Sequence, residues 1–158
     1  MNSEKVLSFF KEITKIPRES GHEEQIIAYL QKFAADRNLE CRTDEAGNVL
    51  IVKEAAPGRE DVPAIVLQSH SDMVCEKNEG VEHDFAKDPI RYVIENGWMI
   101  APDTTLGADC GIGMAVMVDK ETREAAPVTR FLNGDRLAKD IARVNDAGGG
   151  KKLSVLGM

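Results

Sequence analysis

The sequence predicts an α/β domain in which a mixed, mostly parallel sheet is flanked by helices. Two stretches with helical spacing of apolar residues precede residue 36, and a further helix is predicted after the glycine-rich segment 107–113. Between them, the continuous apolar run at 64–67 is typical of a strand buried on both faces. Helices and strands that alternate in this way form a layered domain. A length of 158 residues suits a single domain with a substantial core.

The first two elements are predicted to be helices. Ser3 is a favourable N-cap residue, and apolar residues follow it at helical spacing as far as Ile13. Pro17 ends this first helix. We expect Ser20 to be the N-cap of the second helix, because glutamates follow it in the first turn, where the helix dipole favours them. The apolar stripe of the second helix, which we expect in the core, consists of Ile26, Ile27, Leu30, Phe33 and Ala34.

Two hairpins and one central strand are predicted next. Strands at 39–43 and 49–53 enclose a turn whose residues tolerate positive φ, which indicates an antiparallel hairpin. The apolar run 64–68 is the expected central strand. A second hairpin is predicted at 90–101, with its turn at Asn96–Gly97.

The pattern weakens towards the end of the chain. A helix is expected at 111–120, directly after the glycine-rich segment. Beyond it, Pro127 interrupts the chain, and Gly148–Gly150 have the composition of a flexible linker. We therefore treat residues 1–120 as one unit and assign no separate domain to 121–158.

Composition and charge exclude several classes of function. The net charge of −7 disfavours binding to nucleic acid, because nucleic-acid-binding proteins usually present a basic face. The apolar runs are too short to cross a membrane. The first residues lack the apolar core of a secretion signal, so a cytoplasmic location is expected. The 3 cysteines are widely spaced and contain no Cys-x-x-Cys pair, which disfavours both a disulfide framework and a thiolate zinc site.

His70 and Asp72 are candidate site residues at the end of the central strand. Residues two apart on a strand point to the same face, so both side chains can face one pocket. In an open α/β sheet, that end of the strand is where ligands usually bind. His70 could bind zinc, while Asp72 could accept the other ring N–H and orient the imidazole. The alternative is a hydrogen-bonded pair on the surface.

Asp109 is a third candidate, set among glycines. Gly107, Gly111 and Gly113 leave space for the backbone to approach a bound group closely. The carboxylate of Asp109 could bridge two cations, which together would polarise a carbonyl group and activate water. The alternative is that Asp109 is a helix N-cap. The glycine spacing matches neither a dinucleotide-binding motif nor a phosphate loop.

Taken together and in order, these motifs resemble those of the aminoacyl-histidine dipeptidases. This group is also called peptidase D or cytosol non-specific dipeptidase, and it belongs to the aminoacylase-like co-catalytic zinc peptidases. The resemblance runs from near the N-terminus to about residue 115, and it implies that residues 1–120 are the N-terminal part of a zinc-peptidase catalytic domain. The segments that carry it are Ser69–Val74, His83–Phe85, Lys87–Ile90 and Thr104–Ala115.

The resemblance implies a role for each matching residue. His70 would be a ligand to one of two zinc ions, and Asp109 would bridge both. Asp72 would belong to the catalytic machinery by orienting His70. The implied reaction is the hydrolysis of short peptides, namely Xaa-His or other dipeptides, with cobalt or manganese as possible substitutes for zinc.

The family pattern is incomplete in this chain. In the family a glutamate pair follows the bridging aspartate and supplies the general base and a ligand, and a further carboxylate and a distant histidine complete the site. None of these can be mapped here. The family usually has asparagine where this chain has Cys110.

Two hypotheses follow from this incomplete pattern. The chain is either part of a metallodipeptidase or an inactive, truncated α/β module that binds at most one ion or a protein partner. An incomplete sheet would leave an edge exposed. We therefore expect self-association, or a C-terminal segment that replaces the missing sheet neighbours.

Overall fold

The computed structural model describes residues 3–118 and 154–155. It contains the three expected helices, which are α1 (Ser3–Ile13), α2 (Glu24–Ala35) and α3 (Ala108–Val118). The strands are β1 (Glu40–Thr43), β2 (Val49–Val52), β3 (Ile65–Val66), β4 (Val93–Glu95), β5 (Trp98–Ile100) and β6 (Ser154–Val155). The predicted α/β class is therefore confirmed.

The described strands form three two-stranded sheets rather than the mostly parallel sheet that we expected. β1 pairs with β2 and β4 pairs with β5, both antiparallel, whereas β3 pairs with β6 in parallel. Both hairpins close through residues with positive φ: Gly47 (+79°) in the first, and Asn96 (+52°) and Gly97 (+81°) in the second. Such residues favour tight local pairing. Turn chemistry therefore predicted these two hairpins correctly.

The central strand is shorter than the apolar run that predicts it. β3 covers only Ile65–Val66, because the chain beyond it forms other backbone contacts. The N–H of Met73, for example, donates to the carbonyl of Arg18 at 2.9 Å. The segment that carries His70 and Asp72 therefore lies in a loop fixed by long-range contacts, not in a continuing strand.

The core lies between α1, α2, α3 and β2. α1 and α3 approach each other closely at Gly111, where an added Cβ would lie 2.5 Å from Cε2 of Phe10. This close approach fixes the N-terminal turn of α3, where Asp109 lies. The core side chains that are at most 2% exposed include Phe10, Ile13, Ile26, Leu30, Ile51, Met114 and Val118.

The prediction that Ser20 caps α2 is wrong. α2 begins at Glu24, and Glu23 stands at the N-cap position without a side-chain capping bond. Gly21, with φ of +85°, turns the chain between Ser20 and the helix. Because of this turn, the Ser20 hydroxyl lies against Asp72 instead.

Most of the segment 121–158 lies outside the described residues, so the division at residue 120 stays a prediction. Within it, Ser154–Val155 lie parallel to β3 and supply a neighbour to that strand. This is one of the two arrangements expected for an incomplete sheet. None of the helices in residues 3–118 is long and apolar enough to cross a membrane.

Candidate metal centre

The imidazole of His70 is oriented by Asp72. Nδ1 of His70 lies 2.9 Å from Oδ1 of Asp72. Burial alone would raise the pKa of Asp72, but hydrogen bonds from Ser20 and His70 outweigh it and lower the pKa below the usual value. An ionised carboxylate only accepts hydrogen bonds, so Nδ1 carries the proton. In the neutral ring, Nε2 then keeps a lone pair that can bind a metal ion.

Asp109 faces this nitrogen from the first turn of α3. Its Oδ2 lies 3.6 Å from Nε2 of His70, and its side chain is 76% exposed. The backbone N–H of Cys110 and the nearby His70 imidazole hold the pKa of Asp109 below its usual value, against a weaker opposing effect of burial. The N-cap alternative does not hold, because Asp109 lies inside the helix, after Ala108.

The two groups can share one cation. Zinc lies about 2.0–2.2 Å from imidazole nitrogen and carboxylate oxygen atoms. A separation of 3.6 Å between Nε2 of His70 and Oδ2 of Asp109 therefore suits two ligands of the same ion. Ligand atoms of His70, Asp109 and Cys110 all lie within 4.8 Å of one another. The residues that are present thus fit the metal that the family resemblance implies.

Cys110 lies beneath this pair and is better suited to support than to metal binding. Its side chain is 1% exposed, and its Sγ donates to the carbonyl of Asp72 at 2.9 Å. Burial raises the pKa of the thiol despite the nearby guanidinium of Arg18. A protonated thiol that is engaged in this way is a poor metal ligand.

The buried side chain of Arg18 links the loop that carries His70 to the turn that carries Asp109. Its Nη1 donates to the carbonyls of Ser71 (3.3 Å) and Asp72 (3.2 Å) and to Sγ of Cys110 (3.0 Å). Its Nη2 donates to the carbonyl of Gly107 at 2.7 Å. The residue is 2% exposed. One guanidinium group therefore fixes the loop that carries His70 relative to the turn that carries Asp109.

The glycines of the second motif accommodate the protein's own side chains rather than a bound group. An added Cβ at Gly107 would lie 2.4 Å from Nη2 of Arg18, and the φ of this residue is +67°. An added Cβ at Gly113 would lie 2.8 Å from Oγ of Ser69. The backbone at these glycines does lie close to another group, as expected. That group is a side chain of the protein rather than a bound ligand.

The three side chains predicted for the site, His70, Asp72 and Asp109, lie close together in the structure, but the contacts of Arg18 and Ser20 were not predicted. Both lie in the short segment between α1 and α2, which the sequence marks only by Pro17 and a cap-like serine. Their contacts span more than fifty residues of chain, as in the bond from Ser20 to Asp72. No local spacing rule can predict contacts of this range.

Comparison with known proteins agrees with the resemblance found in the motifs. No family model matches the chain. It is 47% identical over 106 residues to the cytosol non-specific dipeptidase of Escherichia coli, a match that covers 67% of this chain and 22% of the relative. It superimposes on the aminoacylhistidine dipeptidase of Vibrio alginolyticus with a TM-score of 0.75 and 40% identity, covering 82% of this chain and 27% of that one.

A more distant structure supports the fold alone. The chain matches a tripeptidase from Staphylococcus aureus with a TM-score of 0.66 and 22% identity, covering 92% of this chain and 39% of the tripeptidase. The recognition made from the motifs is thus confirmed for the N-terminal part of the chain, which is similar in sequence and structure to the aminoacylhistidine dipeptidases. The chain spans about a quarter of the length of these dipeptidases.

Proposed function

We propose that this chain carries part of a two-zinc site for the hydrolysis of dipeptides. The observation that carries the proposal is the convergence of His70 and Asp109, from separate segments, to 3.6 Å. The similarity to a cytosol non-specific dipeptidase indicates the class of reaction. Xaa-His dipeptides, or dipeptides of broad sequence, are the substrates that we assign to the complete site.

Each residue has a distinct role in this proposal. His70 would hold one of the two ions, and Asp109 would contribute to holding both. The carboxylate of Asp72 accepts a hydrogen bond from Nδ1–H of His70. This bond keeps the lone pair of Nε2 directed towards Asp109. When bound, a pair of zinc ions supplies polarisation of the scissile carbonyl and an activated water. Cobalt or manganese could replace zinc at such ligands.

The setting that we propose is the cytoplasm, with a short peptide as substrate and neither nucleic acid nor membrane as partner. The name of the Escherichia coli relative and the net charge of −7 support this setting. Self-association is also part of the proposal. Its support is the β4–β5 hairpin, where Trp98 (73% exposed), Ile100 (43%) and Val93 (39%) lie on one face. Exposed apolar side chains that lie together mark interaction surfaces.

A second candidate function is an inactive module that binds at most one ion or a protein partner. The observation that favours it is the sequence itself, in which no counterpart of the family's general-base glutamate can be mapped. In this case His70 and Asp109 would retain the geometry of a site without the chemistry that completes it.

Zinc titration of the metal-free, full-length chain tests the proposal, with stoichiometry and affinity measured by calorimetry. His70→Ala and Asp109→Asn should each lower zinc affinity by at least about 100-fold, equivalent to about 2.7 kcal/mol. His22→Ala is the matched control, because His22 is exposed outside the site and should leave binding unchanged.

A hydrolysis assay on an Xaa-His dipeptide with added zinc or cobalt separates the two candidate functions. More than one zinc per chain together with hydrolysis supports the dipeptidase. One zinc per chain without hydrolysis supports the inactive module. Zinc binding that survives both site substitutions would exclude a metal centre at His70 and Asp109.

A further inference from the structure

We propose that Ser20 is a positioning residue for the metal centre: its hydroxyl holds the Asp72 carboxylate in the orientation that directs Nε2 of His70 towards Asp109. This inference rests on the proposed function, because it concerns how a metal ligand is oriented. Ser20 lies in neither of the two motifs that carry the resemblance. It forms a third segment of the site, contributed by the connection between α1 and α2.

Among the described residues, the Asp72 carboxylate accepts one side-chain hydrogen bond on each oxygen. Oγ of Ser20 donates to Oδ2 at 2.5 Å, and Nδ1 of His70 donates to Oδ1 at 2.9 Å. Rotation of the carboxylate would break both bonds together. Hydrogen bonds to an ionised oxygen are the stronger kind, and they define direction as well as distance. Ser20 therefore restrains the group that restrains His70.

Backbone contacts place the Ser20 hydroxyl at this position. The N–H of Ser20 donates to the carbonyl of Met73 at 3.3 Å, and the N–H of Met73 donates to the carbonyl of Arg18 at 2.9 Å. Glu19 and Met73 form a short parallel bridge. Ser20 is thus held in register with the residue that follows Asp72, and its hydroxyl does not depend on a free loop.

A purely structural role for Ser20 is disfavoured by the start of α2. Since Ser20 does not cap that helix, its hydroxyl provides no backbone bond that α2 needs. Its long bond to the carbonyl of Met73 (3.4 Å) goes to the same acceptor that the N–H of Ser20 already contacts at 3.3 Å. The residue is also exposed, so its removal leaves no buried cavity. Loss of the hydroxyl should therefore change the orientation of Asp72 and His70 much more than the stability of the fold.

The test compares Ser20→Ala and Ser20→Thr in the full-length chain. Threonine keeps the hydroxyl, and the exposed site accommodates its methyl group. Ser8→Ala is the matched control, since Ser8 is exposed on α1 and distant in sequence from every site residue. Thermal unfolding monitored by circular dichroism checks that each variant folds.

Two measurements report on Ser20, and one of them needs no metal. Nitrogen NMR of the His70 ring in the metal-free chain, at about pH 8 and above the ordinary histidine range, measures the fraction of the Nδ1–H tautomer. We expect Ser20→Ala to lower this fraction and Ser20→Thr to restore it. Zinc affinity should fall by up to about tenfold in Ser20→Ala, since direct partners of metal-binding histidines contribute about 10- to 100-fold and Ser20 lies one contact further out.

The outcomes separate this inference from the proposed function. Unchanged zinc affinity and an unchanged His70 tautomer in Ser20→Ala would overturn the role of Ser20, and so would a Ser20→Thr variant that behaves like alanine. Failure of the wild-type chain to bind zinc would instead overturn the proposed function. The metal-free NMR measurement would still decide whether Ser20 positions His70.

Discussion

The candidate metal centre has two faces that differ in their exposure and in their chemistry. The open face consists of His70 and Asp109, whose side chains are 42% and 76% exposed. The buried face consists of Arg18 and Cys110, which are 2% and 1% exposed. The open face contains the side chains that can bind a metal ion. The side chains of the buried face donate hydrogen bonds to the backbone segments that position those ligands. Substitutions on the two faces should therefore separate metal affinity from stability.

The buried face is unusual because its cation lacks an acidic partner within the part of the chain that the structure describes. Among the described residues, Arg18 forms no ion pair with a carboxylate, and its Nε has no hydrogen-bond partner. Burying a charge costs free energy unless hydrogen bonds compensate it. Three carbonyls and the thiol of Cys110 provide that compensation. The charge also makes a small contribution to the lowered pKa of Asp109, behind those of the Cys110 backbone N–H and the His70 imidazole.

The largest effect on stability is expected for Arg18→Met. Methionine retains much of the volume of the side chain but leaves three carbonyls without their donor. Each lost bond to a charged donor is worth about 1.5–3 kcal/mol, while removal of a buried charge offsets part of the loss. We expect the free energy of unfolding, measured in urea, to fall by about 3 kcal/mol.

Two further variants sharpen the result for Arg18. Arg37→Met is the matched control, because Arg37 is exposed and stacks on the Phe33 ring at 3.7 Å, a contact worth about 1 kcal/mol or less. Asp109→Asn, which changes only the open face, should unfold at nearly the same urea concentration as the wild type. A destabilisation as large in Asp109→Asn as in Arg18→Met would remove the distinction between the two faces.

A smaller loss of stability is expected for Gly107→Ala. At a φ of +67°, the added Cβ would meet Nη2 of Arg18 at 2.4 Å and Sδ of Met73 at 2.7 Å. Gly97→Ala is the matched control, because Gly97 has a φ of +81° but no atom within 4 Å of an added Cβ. Both variants place a side chain at a positive φ, +67° and +81°, so the difference in stability between them reports mainly the steric clash.

Steric overpacking typically costs about 1–3 kcal/mol. Urea unfolding should therefore show Gly107→Ala to be about 2 kcal/mol less stable than Gly97→Ala. Equal stability of the two variants would show that Arg18 moves freely away from Gly107 and does not fix the turn before α3. In that case, Gly107→Ala and Gly97→Ala should differ in zinc affinity only if the turn before α3 is displaced.

The same contrast explains what the sequence could and could not predict. Local signals predicted the hairpins, because Gly47 and Asn96–Gly97 determine turns over a few residues. The open face was also predictable, since His70 and Asp109 lie in compact motifs. The buried face was not, because Arg18 acts through bonds to residues more than fifty positions away. The cap predicted at Ser20 is wrong for the same reason, since the local pattern favours a helix cap whereas the long-range contact places its hydroxyl against Asp72.

The smallest effect concerns the chemical reactivity of the thiols. Burial raises the pKa of Cys110, and the pKa of Cys75 is raised to about 11, so both are protonated at neutral pH. They differ in solvent access, because Cys110 is 1% exposed whereas Cys75 is only partly buried.

Alkylation followed by mass spectrometry at about pH 8 should modify Cys75 slowly and Cys110 only after unfolding, because the thiolate is the reactive form. Arg18→Met should expose Cys110 to alkylation, whereas Asp109→Asn should not. Rapid modification of Cys110 in the folded wild type would mean that the buried face opens often enough to contact solvent.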